Sequence, residues 1–104
     1  MTALNDLART MRLNSERWFP EMHADPPVPL PVFYALGLAG EVGEVVDEIK
    51  KGVRGRGNGR TREIGAELAD VFTYLLLLAD EMGVHLLAEY EAKAKVNEQR
   101  WGES

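Results

Sequence analysis

The fold is decided by residues 61–83, which read TREIGAELADVFTYLLLLADEMG. Apolar side chains recur in this segment at intervals of four and three residues; they are Ile64, Leu68, Val71, Leu75, Leu78 and Met82. This spacing follows the 3.6-residue period of an α-helix and places the six side chains on one stripe. Thr61 can cap the first turn, and Gly83 can end the helix because glycine tolerates the left-handed conformation. We therefore predict a central core helix here.

The four consecutive leucines of this segment, residues 75–78, cover the whole circumference of the predicted helix. Successive side chains on an α-helix point about 100° apart, so no single face can hold all four. A helix that is apolar on every side must be covered on every side. In a chain of 104 residues we expect a second subunit to supply part of that cover.

A second predicted helix, from Val32 to Lys51, repeats the pattern of the first at an offset of 26 residues, and its apolar stripe consists of Leu38, Val42, Val45 and Ile49. Each helix carries two acids three positions apart beside its apolar stripe; these are Glu41 and Glu44 in one, Glu67 and Asp70 in the other. Residues three apart share a helix face, so two antiparallel helices can gather the four carboxylates in one place. Such a cluster is tolerated only if it stays in water, takes up protons or binds hard cations, and Mg²⁺, which prefers oxygen ligands, is the natural ion to neutralise it.

The rest of the chain is predicted as two more helices and two connections. The helices run from about Leu4 to Phe19 and from about His85 to Trp101, and the stretch from Pro20 to Pro31, which holds all five prolines, is predicted to be extended. Glycines and arginines fill the loop between Gly52 and Arg60, whose arginines either close over phosphates or only keep the loop soluble. The expected fold is all-α, four-helix bundle-like and oligomeric, with residues 1–104 as a single domain.

Composition excludes several classes of protein. The chain has no cysteine, which rules out a disulfide framework, a thiolate zinc site and a cysteine nucleophile. A net charge of −5 argues against nucleic-acid binding, because that requires a basic surface. The longest apolar run, Val71 to Ala79, is far shorter than the ~20 residues of a membrane span, and the N-terminus does not resemble a signal peptide. We expect a cytoplasmic protein.

Two segments carry a resemblance to a known family. Residues 40–48, GEVGEVVDE, and residues 67–75, ELADVFTYL, resemble the two-part signature of the MazG-like, all-α nucleoside triphosphate pyrophosphohydrolases, whose pattern is EExxE followed by ExxD. The likeness spans roughly Leu36 to Trp101. Gly40 stands where the pattern has its first acid, which favours the small single-domain branch that forms dimers or tetramers.

The resemblance implies a Mg²⁺-dependent hydrolase, with Mn²⁺ as a substitute ion. It would cleave nucleoside triphosphates between the α and β phosphates, releasing pyrophosphate. The positions that match the family's metal ligands and catalytic acids are Glu41, Glu44, Glu67 and Asp70. Those that match its contacts to phosphates, sugar or base are Lys93, Asn97, Arg100 and Tyr74, and Trp18 is a further candidate wall of the base pocket.

The residue inventory itself restricts the mechanism. The two histidines and two serines form no apparent Ser-His-acid relay, which leaves direct attack by a water molecule, with Glu44 or Glu67 as the base. The leading interpretation is a house-cleaning enzyme of the nucleotide pool. The alternatives are a phosphoribosyl-ATP or dUTP/dCTP hydrolase of the same superfamily, and a helical module that dimerises and has no catalytic activity.

Overall fold

The structure is a computed structural model that describes residues 3–54 and 60–102. Within these ranges the chain forms helices and no strand. The helices are α1 (Ala3–Trp18), α2 (Pro20–Ala24), α3 (Leu30–Arg54), α4 (Thr61–Glu81) and α5 (Leu86–Trp101). The prediction of an all-α fold is confirmed, and the four long helices match the four predicted ones.

Helices α3 and α4 form an antiparallel hairpin that is the largest packing interface among the described residues. Its register follows from two contacts: Gly37 lies against the ring of Tyr74, and the side chain of Glu48 meets Arg60 at the other end. A Cβ atom at Gly37 would overlap the Tyr74 ring, so only glycine allows the two helices to approach this closely here.

Helix α1 packs on the other side of α4, also antiparallel. Arg12 Nε lies 2.9 Å from the carboxylate of Asp80, and Asn5 Nδ2 lies 2.9 Å from His85 Nδ1 at the start of α5. The buried core lies along these helices and consists of Ala8, Tyr34, Leu76, Leu77 and Ala79. Leu76 and Leu77 are thus buried within one chain, whereas Leu75 and Leu78 are only half-buried, and the expectation that a second subunit supplies part of the cover stays a prediction.

The structure corrects three local predictions. The proline-rich connector begins with the short helix α2, because Pro20 stands at a first helical position, where its missing N–H costs no bond. Helix α3 continues past Gly52 to Arg54, and the N-cap of α4 is Arg60 rather than Thr61, without a side-chain capping bond. The glycine stop is confirmed: Gly83 has φ +69°, and the N–H of Val84 donates to Ala79 O at 2.8 Å.

A band of apolar side chains on α3 and α4 remains exposed. Its members are each between two fifths and three quarters exposed; they are Leu36, Val42, Val46, Ile49, Val53, Leu68 and Phe72. Three of these residues, Val42, Ile49 and Leu68, belong to the predicted core stripes. The stripes are therefore only partly covered within one chain. Helix α5 has no buried residue.

In the described part of the chain, no single helix has the length and apolar composition to cross a membrane. Helices α4 and α5 reach those limits only when they are taken together, and they are bent by 98° relative to each other.

Candidate metal centre and adjoining cavity

The hairpin brings three of the four predicted acids together. Glu41 on α3 and Glu67 and Asp70 on α4 each offer a carboxylate oxygen, and these oxygens lie within 4.8 Å of one another. The antiparallel register produces this meeting, since position 41 on one helix faces positions 67 and 70 on the other. Three oxygen donors at this spacing could hold one metal ion.

The fourth predicted acid, Glu44, lies outside this group of oxygens, and its side chain is exposed. It is nevertheless close enough for its charge to act on Glu41. The structure therefore gathers three acids directly and leaves Glu44 at their margin.

Electrostatics in the cluster favour added positive charge. Burial raises the pKa of Glu41 above its ordinary value, and so do a hydrogen bond with Glu67 and the negative charges of Asp70, Glu67 and Glu44. Glu41 Oε2 is buried and has no hydrogen-bond partner among residues 3–54 and 60–102. While both carboxylates are ionised neither can donate to the other, so the site gains stability from either a proton or a cation.

A cavity of about 570 Å³ adjoins Asp70, lying between α1, helix α2, the start of α3 and the second half of α4. Asp70 belongs both to the acid cluster and to the cavity wall. The other lining residues are mostly apolar or aromatic; they are Leu7, Thr10, Met11, Asn14, Ser15, Trp18, Phe19, Met22, Phe33, Tyr34, Thr73, Tyr74 and Leu77. A concave, largely apolar site of this volume with few polar groups is typical of small-molecule binding.

Both aromatic residues proposed from the sequence line this cavity. Trp18 stands at its rim and is 61% exposed, whereas Tyr74 is half-buried, one turn beyond Asp70 on α4. Both rings therefore line the same cavity as Asp70. Their role in binding stays a prediction.

Helix α5 carries the three polar residues that the sequence assigned to the substrate. Lys93, Asn97 and Arg100 are exposed, and none of them lines the cavity. Arg100 instead stacks on the ring of Trp101, with its guanidinium carbon 5.3 Å from the ring centroid. Within one chain the structure does not bring these residues to the acids.

Sequence reasoning missed the polar groups at the cavity's inner end. Tyr34 is only 3% exposed, and burial raises the pKa of its hydroxyl, an effect that a hydrogen bond with Ser15 opposes. Ser15 Oγ also lies 2.9 Å from His23 Nε2 on α2. These residues come from three helices, and no periodic pattern in the sequence connects them.

One acid near the cluster is already neutralised. The Glu48 carboxylate lies 3.3 Å from Arg60 Nη2 and 3.5 Å from Lys51 Nζ, and the side chain is 13% exposed. Glu48 is thus an ion-pair partner that ties α3 to the start of α4. Of the other two loop arginines, Arg56 and the side chain of Arg54 lie outside the described residues.

A comparison with known families decides what kind of protein this is. The family model described as the MazG nucleotide pyrophosphohydrolase domain matches residues 32–96, which is more than half of the chain. The chain belongs to the MazG family. No curated protein and no solved structure matches it.

The matched region includes all of the acid cluster. Residues 32–96 contain most of α3, all of α4 and most of α5, whereas α1 and α2 precede the match. MazG proteins form a superfamily of nucleotide pyrophosphohydrolases that generally use a divalent metal. The acid cluster therefore lies in the part of the chain shared with the MazG family, and much of the cavity wall lies before it.

Proposed function

We propose that residues 1–104 form one domain that hydrolyses nucleoside triphosphates between the α and β phosphates with Mg²⁺, releasing a nucleoside monophosphate and pyrophosphate. The observation that carries this proposal is the position of Asp70, which belongs to the acid cluster and also lines the cavity. A nucleotide needs both features side by side, because its base is flat and largely apolar and its phosphates need a metal beside acidic side chains.

The residues present fit a magnesium ion. The cluster offers only oxygen donors, and Glu41 Oε2 is buried without a hydrogen-bond partner in the part of the chain that the structure describes. Mg²⁺ binds oxygen and neutralises charge at once, which would relieve the repulsion that acts on Glu41. Glu41, Glu67 and Asp70 would hold the ion, with Glu44 at the margin of the site. Mn²⁺ takes the same oxygen ligands and could replace it.

Different residues of the chain would bind the base and accept the proton of the attacking water. When bound, Mg²⁺ would neutralise phosphate charge and lower the pKa of a water molecule. Trp18 and Tyr74 would hold the base in the cavity and so place the phosphates beside Asp70. Glu44 is the better candidate for the proton acceptor, since its carboxylate lies outside the three-acid group whereas Glu67 belongs to it.

A homodimer or homotetramer would complete the protein. The exposed apolar band on α3 and α4 is the kind of surface that a second copy covers, and Val53 in it is 73% exposed. No lysine or arginine lines the described part of the cavity. We assign phosphate contacts to Lys93, Asn97 and Arg100 of a neighbouring copy, because within one chain α5 keeps them away. Light scattering on the purified protein should give two or four times the 11.6 kDa of one chain, and a mass equal to one chain would contradict the assembly.

The decisive experiment is product analysis. The protein is incubated with Mg²⁺ and a panel of canonical, deoxy and damaged nucleoside triphosphates, together with phosphoribosyl-ATP, and pyrophosphate is measured separately from orthophosphate. Pyrophosphate in amounts equal to the monophosphate supports the proposal, and the best substrate separates a house-cleaning role from a single-substrate enzyme. Orthophosphate as the sole product, or no product with any substrate, would contradict it.

A further inference from the structure

The cavity contains few polar side-chain groups that a ligand could use. Thr10 Oγ1 donates to Asp6 O at 3.1 Å, and Thr73 Oγ1 donates to Ala69 O at 2.9 Å, so each of these hydroxyl protons is held by its own helix. Such bonds to the carbonyl four residues earlier are local and do not serve a ligand. The two threonines therefore contribute methyl groups to the cavity and no free donor.

The hydroxyl of Ser15 also makes hydrogen bonds within the protein. It lies 2.9 Å from His23 Nε2 and is hydrogen-bonded to the buried Tyr34 hydroxyl. These contacts join α1, α2 and α3 at the inner end of the cavity. Ser15 thus bonds to both Tyr34 and His23, and these contacts hold the wall of the cavity in place.

Asn14 is the exception, and its orientation is set by a neighbour. Arg17 Nη2 donates to Asn14 Oδ1 at 3.0 Å. A guanidinium has no acceptor, so only the oxygen of the amide can face it. The other end of the amide, the Nδ2 group with its two N–H donors, is therefore not used by Arg17. It makes no hydrogen bond to residues 3–54 or 60–102, although Asn14 is half-buried and lines the cavity.

Arg17 acts on the cavity in a second way. Its guanidinium carbon lies 5.7 Å from the centroid of the Trp18 ring, so the same side chain contacts two lining residues. A cation held over an aromatic face restrains both groups. Arg17 is not itself a lining residue and is a positioning residue for Asn14 and Trp18.

We propose that Asn14 selects nucleotides whose base carries an exocyclic oxygen rather than an amino group, because it presents a donor that Arg17 prevents from turning. Uracil-type and hypoxanthine-type bases place a carbonyl oxygen where cytosine and adenine place an NH₂. The oxygen accepts a hydrogen bond from Nδ2, whereas an amino group at that position leaves two donors facing each other. This inference rests on the proposed function, since it assigns the cavity to the base.

The first test compares matched substrates. We expect kcat/KM for dUTP to exceed that for dCTP, or for ITP to exceed that for ATP, by about fivefold or more in whichever pair is hydrolysed, which is the smallest effect expected when a polar group is left without its partner. Asn14→Asp replaces the donor with an acceptor of the same shape and should reverse or abolish the preference. An equal or opposite preference in the natural chain, or a ratio unchanged in Asn14→Asp, overturns the assignment.

The second test uses Arg17. Arg17→Met removes the donor and frees the amide to turn, so the ratio between the paired substrates should fall toward one while the better substrate is still hydrolysed. Arg17→Lys keeps a donor and should restore the ratio. A purely structural role would lower both rates equally and leave the ratio unchanged, and that result would overturn the role of Arg17.

Nucleoside binding separates this inference from the proposed function. Deoxyuridine or inosine, added without metal, should shift the side-chain NH₂ signals of Asn14 in NMR spectra, and deoxycytidine or adenosine should shift them much less; Asn14→Asp identifies the signals by their loss. Selective shifts with no hydrolysis of any triphosphate would leave the inference standing and remove the proposed function. Hydrolysis with no selective shift would remove the inference about Asn14 and leave the proposed function standing.

Discussion

At the hairpin end of the α3–α4 interface, Glu48 lies between Lys51 and Arg60, whereas about two helical turns away Glu41 faces Glu67 and Asp70. The two places differ in whether lysine or arginine side chains neutralise the acids. Among the described residues, the three clustered acids have no ion-pair partner, and the pKa of Glu41 is raised. The interface therefore neutralises Glu48 with Lys51 and Arg60 but supplies no such cation to the clustered acids within the described residues, so that their charge is left for a proton or a bound cation to neutralise.

The largest difference should appear in catalysis. Glu67→Gln and Asp70→Asn remove proposed metal ligands, so we expect pyrophosphate release to fall by at least about 10²-fold, since even outer-shell changes cost 10–100-fold. Circular dichroism should show an unchanged helical protein. Glu48→Gln is the matched control and should keep most of the activity. If it loses as much as the other two, the two ends of the interface do not differ as described.

Substitutions at the two ends of the α3–α4 interface should differ in how much Mg²⁺ stabilises the folded protein. Mg²⁺ at a hundred times its dissociation constant stabilises a folded protein by about 2.7 kcal/mol when the unfolded chain does not bind it. Thermal unfolding should show this rise in the natural chain and in Glu48→Gln, and little or none in Glu41→Gln. An equal rise in both variants would mean that the ion acts elsewhere.

Without metal, Glu41→Gln and Glu48→Gln should change Tm in opposite directions. Glu41→Gln removes a charge that its neighbours repel and should raise Tm by a few degrees, on the order of 1 kcal/mol. Glu48→Gln removes a paired charge and should lower Tm. Chelated samples in a thermal scan at pH 7 give both values, and two changes of the same sign would contradict the contrast.

The difference in Tm between Glu41→Gln and the natural chain should also depend on pH. The folded pKa of Glu41 lies above its ordinary value of 4.5. Its protonated form therefore contributes stability that is present at or below pH 4.5 and is lost as the pH rises through the raised folded value. The Tm advantage of Glu41→Gln should accordingly grow from about pH 4.5 toward neutrality. A constant difference over this range would show that Glu41 does not titrate as described.

The smallest effect is expected at Arg60. Arg60→Met breaks its ion pair with Glu48, and because Arg60 is about one-third exposed the loss should be about 0.5–1 kcal/mol. Rising salt should shrink the difference between this variant and the natural chain. A large fall in kcat/KM with unchanged Tm would instead show that Arg60 contacts the substrate.

The sequence predicted those features that depend on local chemistry or period. The acids at 41, 67 and 70 meet because two stripes with equal spacing were packed antiparallel, and Gly83 ends α4 because its left-handed backbone suits glycine. The orientation of Asn14 could not be predicted, although Arg17 is only three residues away, because many solvated side chains share that spacing. The Ser15, His23 and Tyr34 contacts depend on how three helices meet, which no single period encodes.

The close approach of Gly37 to Tyr74 has a consequence for the evolution of this chain. Tyr74 forms part of the cavity wall, and its ring occupies the space that a side chain at position 37 would need. Even an alanine there would push the ring away from α3. The width of the cavity therefore depends on the absence of a side chain at position 37, and a substitution there would change the shape of the cavity before it changed the acid cluster.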